Sequence, residues 1–168
     1  MGSLKDVFGL LAQMQYDGMV TDYAIDGATA VLFYAEPTRT YDVDVFVTLP
    51  SGPAPALVSL SSVYEWAKNR GIEIQGEHLM IETVPVQLLP AYNSLVEEAV
   101  ADARVHDYEG VPVRVVGPEH LVALALQAGG ARRRERAWQL LQFGGVDRRR
   151  LRAILDAHAI LAEIPDDV

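Results

Sequence analysis

Residues 23–30 read Tyr-Ala-Ile-Asp-Gly-Ala-Thr-Ala, and after a short loop residues 41–47 read Tyr-Asp-Val-Asp-Val-Phe-Val. The pattern predicts a strand, a glycine turn at Gly27, a short helix, a loop, and a second strand with two carboxylates at its start. Because side chains alternate across a strand, Asp42 and Asp44 point to the same face. Like charges on one face repel, so we expect either a divalent cation beside them or a solvated strand end.

The rest of the chain predicts further short strands and helices around this segment. Before Gly117 we expect helices at 3–16, 59–70 and 93–100, and strands at 21–25, 72–74, 79–81, 84–89, 104–108 and 111–116. After Gly117 the pattern is wholly helical, and it predicts helices at 118–128, 131–143 and 148–162. The fold class is therefore α/β (α+β), a mixed sheet flanked by helices. We expect a core at 1–116 and a C-terminal helical segment at 117–168, packed together as one structural unit.

The composition excludes several kinds of site. The chain has no cysteine, which excludes disulfides, thiolate catalysis and cysteine-ligated zinc. Its four histidines show no metal-ligand spacing. We expect His120 to be a surface or cap residue rather than a catalytic base, and the same for His106, and we expect Trp66 and Trp138 to lie in the core.

Charge is distributed unevenly. The net charge of -9 argues against a general nucleic-acid coat. Eight arginines nevertheless fall between residues 132 and 152, where the segment is +6 and the remainder of the chain is -15. These arginines form either a solvated helix face or a surface that contacts phosphate or RNA.

Membrane association is not expected. No apolar run reaches the roughly 20 residues that a membrane span needs, and the N-terminus lacks the pattern of a signal peptide. We therefore expect a soluble, cytoplasmic protein.

The glycine turn followed by Asp-x-Asp resembles the nucleotidyltransferase superfamily of the polymerase-beta type. Gly27 and Ala28 stand where that family has a glycine pair, and Asp42 and Asp44 stand where it has an acidic pair. Residues 84–90 and 119–124 also fall where AbiEii-like members of the toxin branch have comparable strand and helix motifs. The resemblance covers roughly residues 20–143 and implies a nucleotidyltransferase-like fold.

The resemblance also implies an activity: transfer of a nucleoside monophosphate from an NTP to a hydroxyl on RNA, such as a tRNA, or on a protein. Asp42 and Asp44 would bind Mg²⁺, which prefers rigidly held carboxylates. A toxin of this branch would have an antitoxin partner. The implied nucleotide-binding residues are Gly27, Ala28, Thr29 and, as a phosphate clamp in the loop before the acidic strand, Arg39.

The sequence departs from the family pattern at several positions. The third carboxylate of the catalytic set is replaced by Gln87, whose amide is a weak metal ligand. Glu82 is the nearest substitute, although a regular strand would turn it to the opposite face. Asp26 replaces a hydrophobic residue, and arginines replace a Lys-Asp pair near residue 132. A second hypothesis is therefore a catalytically degenerate relative that binds a nucleotide or a partner.

Overall fold

The structure is a computed structural model that describes residues 3–35, 40–50 and 60–166. Its centre is one mixed sheet of seven strands in the order β3-β4-β5-β2-β1-β7-β6. The strands are β1 (Asp22–Asp26), β2 (Val43–Thr48), β3 (Glu73–Gln75), β4 (His78–Ile81), β5 (Val84–Pro90), β6 (Arg104–Tyr108) and β7 (Val111–Val115). The pairs β2–β5 and β1–β7 are parallel, and the other neighbours are antiparallel.

Seven helices accompany the sheet in the described part of the chain. They are α1 (Leu4–Tyr16), α2 (Gly27–Val31), α3 (Ser61–Asn69), α4 (Ser94–Ala101), α5 (Pro118–Ala128), α6 (Ala131–Phe143) and α7 (Arg148–Ala157). Helix α4 packs on β1 and β2, and α5 packs on α6 and α7. The mixed α/β fold class is confirmed, while the division at residue 116 stays a prediction.

Local side-chain signals place the helix ends. Ser3 and Asp6 form a reciprocal capping box at the start of α1. Asn93 caps α4, and Asp147 caps α7 through two backbone N–H groups. Helix α5 begins at Pro118, a position where the missing N–H costs nothing.

The core is a single cluster of buried apolar side chains contributed by the sheet and the helices. The central strands are buried at consecutive positions, as Val45, Phe46 and Val47 show on β2. Strands covered on both faces have this character, because neither face meets water. The edge strand β6 alternates between half-buried and exposed positions instead.

Helix α7 is shorter than predicted. It ends at Ala157 rather than near residue 162, and Ala159 adopts a positive φ of 52°. A left-handed residue stops the hydrogen-bond pattern of an α-helix. Trp66 is half-buried rather than fully in the core, because its indole Nε1 donates to Asp17 Oδ2 at 2.9 Å.

The described residues contain no helix that is both long enough and apolar enough to cross a membrane.

Candidate active site

A row of polar side chains crosses four adjacent strands. Asp26 on β1 is directly opposite Asp44 on β2, Asp44 is opposite Gln87 on β5, and Gln87 is opposite His78 on β4. Directly opposed residues project from the same face of a sheet. The tertiary fold therefore brings four chemically active side chains into one line, although they are up to 61 positions apart in the sequence.

Gly27 packs against this row. Its φ is +65°, and a Cβ added to it would lie 2.5 Å from Asp44 Oδ2. The position therefore requires glycine for two reasons: the backbone conformation and the close approach of the Asp44 carboxylate. The glycine turn and the acidic strand that the sequence singled out are in direct contact.

Asp42 lies just before β2 and is half-buried. Its backbone carbonyl accepts hydrogen bonds from Thr40 Oγ1 at 2.6 Å and from Thr29 Oγ1 at 3.3 Å. Its carboxylate Oδ2 is 4.0 Å from His78 Nε2. Two hydroxyl groups thus hold the backbone of Asp42 beside the row, with the His78 imidazole near its carboxylate.

The carboxylates at the site oppose one another's ionisation. Burial raises the pKa of Asp44, and the charge of Asp42 raises it further. Burial also raises the pKa of Asp26 to about 6, with a further contribution from Asp44. The nearby arginines Arg136 and Arg133 partly offset the shift at Asp26. The site therefore gathers more negative charge than its surroundings neutralise.

A cleft of about 270 Å³ opens over the row. The sheet contributes Asp26, Asp44 and Gln87 to it, and α6 contributes the guanidinium groups of Arg133 and Arg136 from across the opening. Neither guanidinium is within ion-pair distance of a carboxylate among the described residues. The remaining lining is largely apolar, namely Gly27, Phe46, Leu89, Tyr92, Leu121, Leu124, Ala125 and Ala128.

One wall of the cleft is aromatic. Tyr92 is 68% exposed, and its ring meets Phe46 edge-on at a centroid distance of 6.3 Å. An exposed aromatic ring at the rim of a cleft offers a surface on which a flat ring can stack.

Gln87, in the place of the third carboxylate, is half-buried. Its Nε2 donates to Glu77 Oε2 at 3.3 Å, so an acidic group from the β3–β4 turn lies next to it. Glu82 is elsewhere, in the turn between β4 and β5, where it lines a groove against α1 with Lys5 and Leu10. The position of Glu82 does not favour it as the substitute for the missing carboxylate.

The other predicted nucleotide-binding residues have different surroundings. Ala28 is half-buried beside Gly27, whereas Thr29 is 1% exposed and its hydroxyl holds the Asp42 carbonyl. Thr29 thus acts here on the position of Asp42. Arg39 lies outside the described residues. Helix α2 has only five residues, so the contribution of its dipole to anion binding is small.

Three features of the fold were not foreseen from the sequence. Arg133 and Arg136 reach the cleft, but the sequence shows them only as members of an arginine-rich segment. Their spacing of three was the available signal, since residues three apart share a helix face. The prediction that His120 is a surface or cap residue is wrong, because its side chain is 1% exposed and its Nε2 is hydrogen-bonded to Glu98. His120 and His158 both contact the carboxylate of Glu98, and nothing in their spacing of 38 positions indicates this.

The mixed sheet and its flanking helices match solved structures with a nucleotidyltransferase-like fold. The chain is similar to the solution structure of the antibiotic-resistance factor ANT(2'')-Ia, with a TM-score of 0.53, 14% identity, and coverage of 95% of this chain and 93% of that one. The chain is also similar to the crystal structure of ANT(2'')-Ia in complex with adenylyl-2''-tobramycin. The TM-score is 0.54 and the sequence identity is 14%, with coverage of 94% of this chain and 98% of that one.

A third similar structure is an antigenic nucleotidyltransferase-like protein from Paracoccidioides brasiliensis. The TM-score is 0.54 at 17% identity, over 95% of this chain and 89% of that one. No protein-family model and no curated protein matches the sequence. The likeness thus lies in the fold, at identities too low to carry an activity by themselves.

Proposed function

We propose that this protein is a Mg²⁺-dependent nucleotidyltransferase that moves a nucleoside monophosphate from an NTP to a hydroxyl acceptor. One observation carries the proposal: the row Asp26–Asp44–Gln87, with Gly27 packed against Asp44 and Asp42 fixed beside it. A merely solvated strand end would not need a glycine whose missing Cβ makes room for a carboxylate.

The residues present fit a magnesium ion. Asp42 and Asp44 offer the carboxylate oxygens that Mg²⁺ prefers, and their mutual repulsion falls when a cation shares them. A bound Mg²⁺ neutralises charge on the triphosphate and on the leaving pyrophosphate. The protein's contribution is to hold Asp42 through its backbone carbonyl and Asp44 within a strand, so that both are positioned before substrate arrives.

The triphosphate would lie between the sheet and α6. Arg133 and Arg136 have no carboxylate partner within ion-pair distance among the described residues, so both are free to bind phosphate oxygens. A guanidinium binds phosphate strongly because its N–H groups match two oxygens at once. Arg39 stays a second candidate for the same role, as do the backbone groups of Gly27 and Ala28 for close approach to the phosphates.

The acceptor that we propose is an RNA hydroxyl, with tRNA as one candidate, or a hydroxyl of a protein. The arginine-rich helix α6 lines the cleft through Arg133 and Arg136 and supplies a positive surface for a polyanion. The toxin role and an antitoxin partner rest on the sequence resemblance to AbiEii-like proteins. A small-molecule acceptor is the competing choice, since ANT(2'')-Ia was solved with adenylyl-2''-tobramycin.

A second candidate function follows from Gln87. An amide cannot accept the proton of the attacking hydroxyl, so a degenerate protein would bind Mg²⁺ and nucleotide but transfer nothing. It would then act as a nucleotide- or partner-binding module.

The experiment that tests transfer uses each of the four radiolabelled NTPs with Mg²⁺ and either bulk RNA or cell lysate. We expect label from at least one NTP to move to a macromolecule, and Asp42→Asn to abolish the transfer. Absence of transfer by the wild type, with nucleotide binding intact, would favour the second candidate.

A Gln87→Asp variant separates the two candidates further. If the protein is degenerate, a carboxylate at position 87 should create transfer where the wild type shows none. If the wild type is active, the same change should raise its rate. Glu77→Ala is the matched control, because it removes the hydrogen-bond partner of Gln87 without adding a carboxylate to β5.

A further inference from the structure

Two imidazoles converge on one carboxylate at the junction of α4, α5 and α7. Glu98 Oε1 is 2.9 Å from Nε2 of His120, near the start of α5. Glu98 Oε2 is 2.8 Å from Nε2 of His158, at the C-terminal end of α7. Asp102 follows α4, and ligand atoms of Glu98, Asp102 and His120 all lie within 4.8 Å of one another.

We propose that Glu98, Asp102, His120 and His158 form a Zn²⁺ site that is separate from the carboxylates of the cleft. The donor set is two imidazole nitrogens and two carboxylates. Tetrahedral zinc with metal–ligand distances of about 2.1 Å places neighbouring ligand atoms about 3.4 Å apart. The observed distances of 2.8 and 2.9 Å are therefore short of that geometry by roughly half an ångström.

The donor chemistry selects zinc over magnesium. Imidazole suits Zn²⁺ and similar transition metals, whereas Mg²⁺ prefers oxygen ligands and retains its water. The site at Asp42 and Asp44 and the site at Glu98 would accordingly bind different ions. The proposal does not depend on nucleotidyl transfer.

The ligands are held before any metal arrives. His120 is 1% exposed, so packing fixes the orientation of its ring. Hydrogen bonds with His120 and His158 hold both carboxylate oxygens of Glu98 in place. A cation can reach it, because its side chain is 37% exposed.

One positive charge competes with the metal. Arg150 Nη2 is 3.5 Å from Asp102 Oδ2, with side chains 43% and 48% exposed. A pair this exposed is worth at most about 1 kcal/mol, so Asp102 can turn toward the imidazoles at little cost. Zn²⁺ would bind the Nε2 atoms of His120 and His158 in their neutral form, with the single ring proton of each imidazole on Nδ1.

The simpler reading of the cluster is a hydrogen-bonded link among three helices. The two readings differ in zinc affinity. We therefore propose calorimetric titration of the full chain with Zn²⁺, together with Co²⁺ as a spectroscopic probe of coordination. The wild type should bind one Zn²⁺, and Co²⁺ should give the visible absorption of a tetrahedral site. Free zinc at about a hundredfold excess over the dissociation constant should raise the melting temperature by roughly 5 to 10 °C.

Variants assign the ion to these ligands. Glu98→Gln and His158→Gln should each weaken zinc binding at least tenfold, whereas Glu97→Gln, on the exposed side of the same helix, should leave it unchanged. His158 is near a helix end, so its variant should fold even if a change at buried His120 does not. Equal zinc binding by the wild type and Glu98→Gln would overturn the proposal. So would an octahedral Co²⁺ spectrum, or loss of zinc in Asp44→Asn alone.

Discussion

Gly27 is the residue at which backbone and site requirements coincide. Gly27→Ala would place a Cβ 2.5 Å from Asp44 Oδ2 at a φ of +65°. We expect a loss of about 1 to 2 kcal/mol in the free energy of unfolding from the left-handed backbone alone. We also expect weaker Mg²⁺-dependent nucleotide binding, because Asp44 must move. Urea unfolding and calorimetry measure the two effects.

Gly71→Ala is the matched control for that change. Gly71 has a φ of +75°, but a Cβ there would meet nothing within 4 Å. It should lose similar stability and bind nucleotide normally. If both variants bind alike, the contact between Gly27 and Asp44 has no role in the site.

The ionisation of Asp26 makes the stability of the fold depend on pH. Its pKa of about 6 in the folded chain is above the ordinary value of 3.8, so its ionisation destabilises the fold. The penalty is fully present above pH 6 and disappears as pH falls through the folded pKa toward the unfolded one. In metal-free buffer, Asp26→Asn should therefore raise the free energy of unfolding by about 2 kcal/mol at pH 8.

The same variant should gain progressively less as the pH falls from 6 to 4, because wild-type Asp26 is then protonated as well. Urea unfolding across this range measures the effect. A gain that is the same at pH 8 and pH 4 would show that Asp26 does not carry the shifted ionisation.

Helix α6 contributes the positive charges of Arg133 and Arg136 to the cleft. Removing the guanidinium of half-buried Arg136 should weaken triphosphate binding about tenfold or more, since a charge-assisted hydrogen bond contributes about 1.5 to 3 kcal/mol. The Arg136→Ala variant is compared with Arg132→Ala, an exposed residue of the same helix that does not line the cleft. Equal losses in the two variants would mean that α6 acts only through its general charge.

An ion pair with a buried carboxylate connects the sheet to the C-terminal helices. Glu119 on α5 is 1% exposed, and its Oε2 accepts from Arg104 Nη2 at 2.8 Å. Its Oε1 accepts from the backbone N–H of Asp147, the residue that caps α7. Glu119→Ala would leave both donors unpaired and should destabilise the fold by about 2 to 3 kcal/mol.

Asp166→Asn is the comparison for Glu119→Ala. Asp166 pairs with Arg152 at 3.4 Å, with side chains 90% and 63% exposed, so its loss should change the stability by less than about 0.5 kcal/mol. Thermal unfolding of the two variants gives the contrast. A loss of similar size in both would show that the connection through Glu119 is not what joins these elements.

At the scale of the whole molecule, the elements were more predictable than their assembly. The bounds of α5 and α6 match the prediction, because a proline, glycines and helical periodicity are local signals. The order of the strands was not predictable. Strand β1 lies between β2 and β7, and its pairing with β7 joins residues that are far apart in the sequence. The wrong placement of His120 has the same origin, because its partners are on α4 and α7.

The candidate site divides in the same way. Gly27, Asp42 and Asp44 stand out in the sequence because their types and order form a short motif. The direct opposition of Asp44 and Gln87 depends on register between strands, and the approach of Arg133 and Arg136 depends on helix packing. The spacing of Arg133 and Arg136 indicates a shared helix face, but no local signal specifies what that face packs against.

The most direct measurement is calorimetric titration with an unhydrolysable NTP, with and without Mg²⁺, of the wild type and Asp44→Asn. Asp166→Asn serves as a control for removal of one negative charge at an exposed position. The proposed function predicts binding by the wild type and by Asp166→Asn that requires Mg²⁺, and affinity at least tenfold weaker in Asp44→Asn. Nucleotide binding that is absent, independent of Mg²⁺, or equal in the wild type and Asp44→Asn would contradict it.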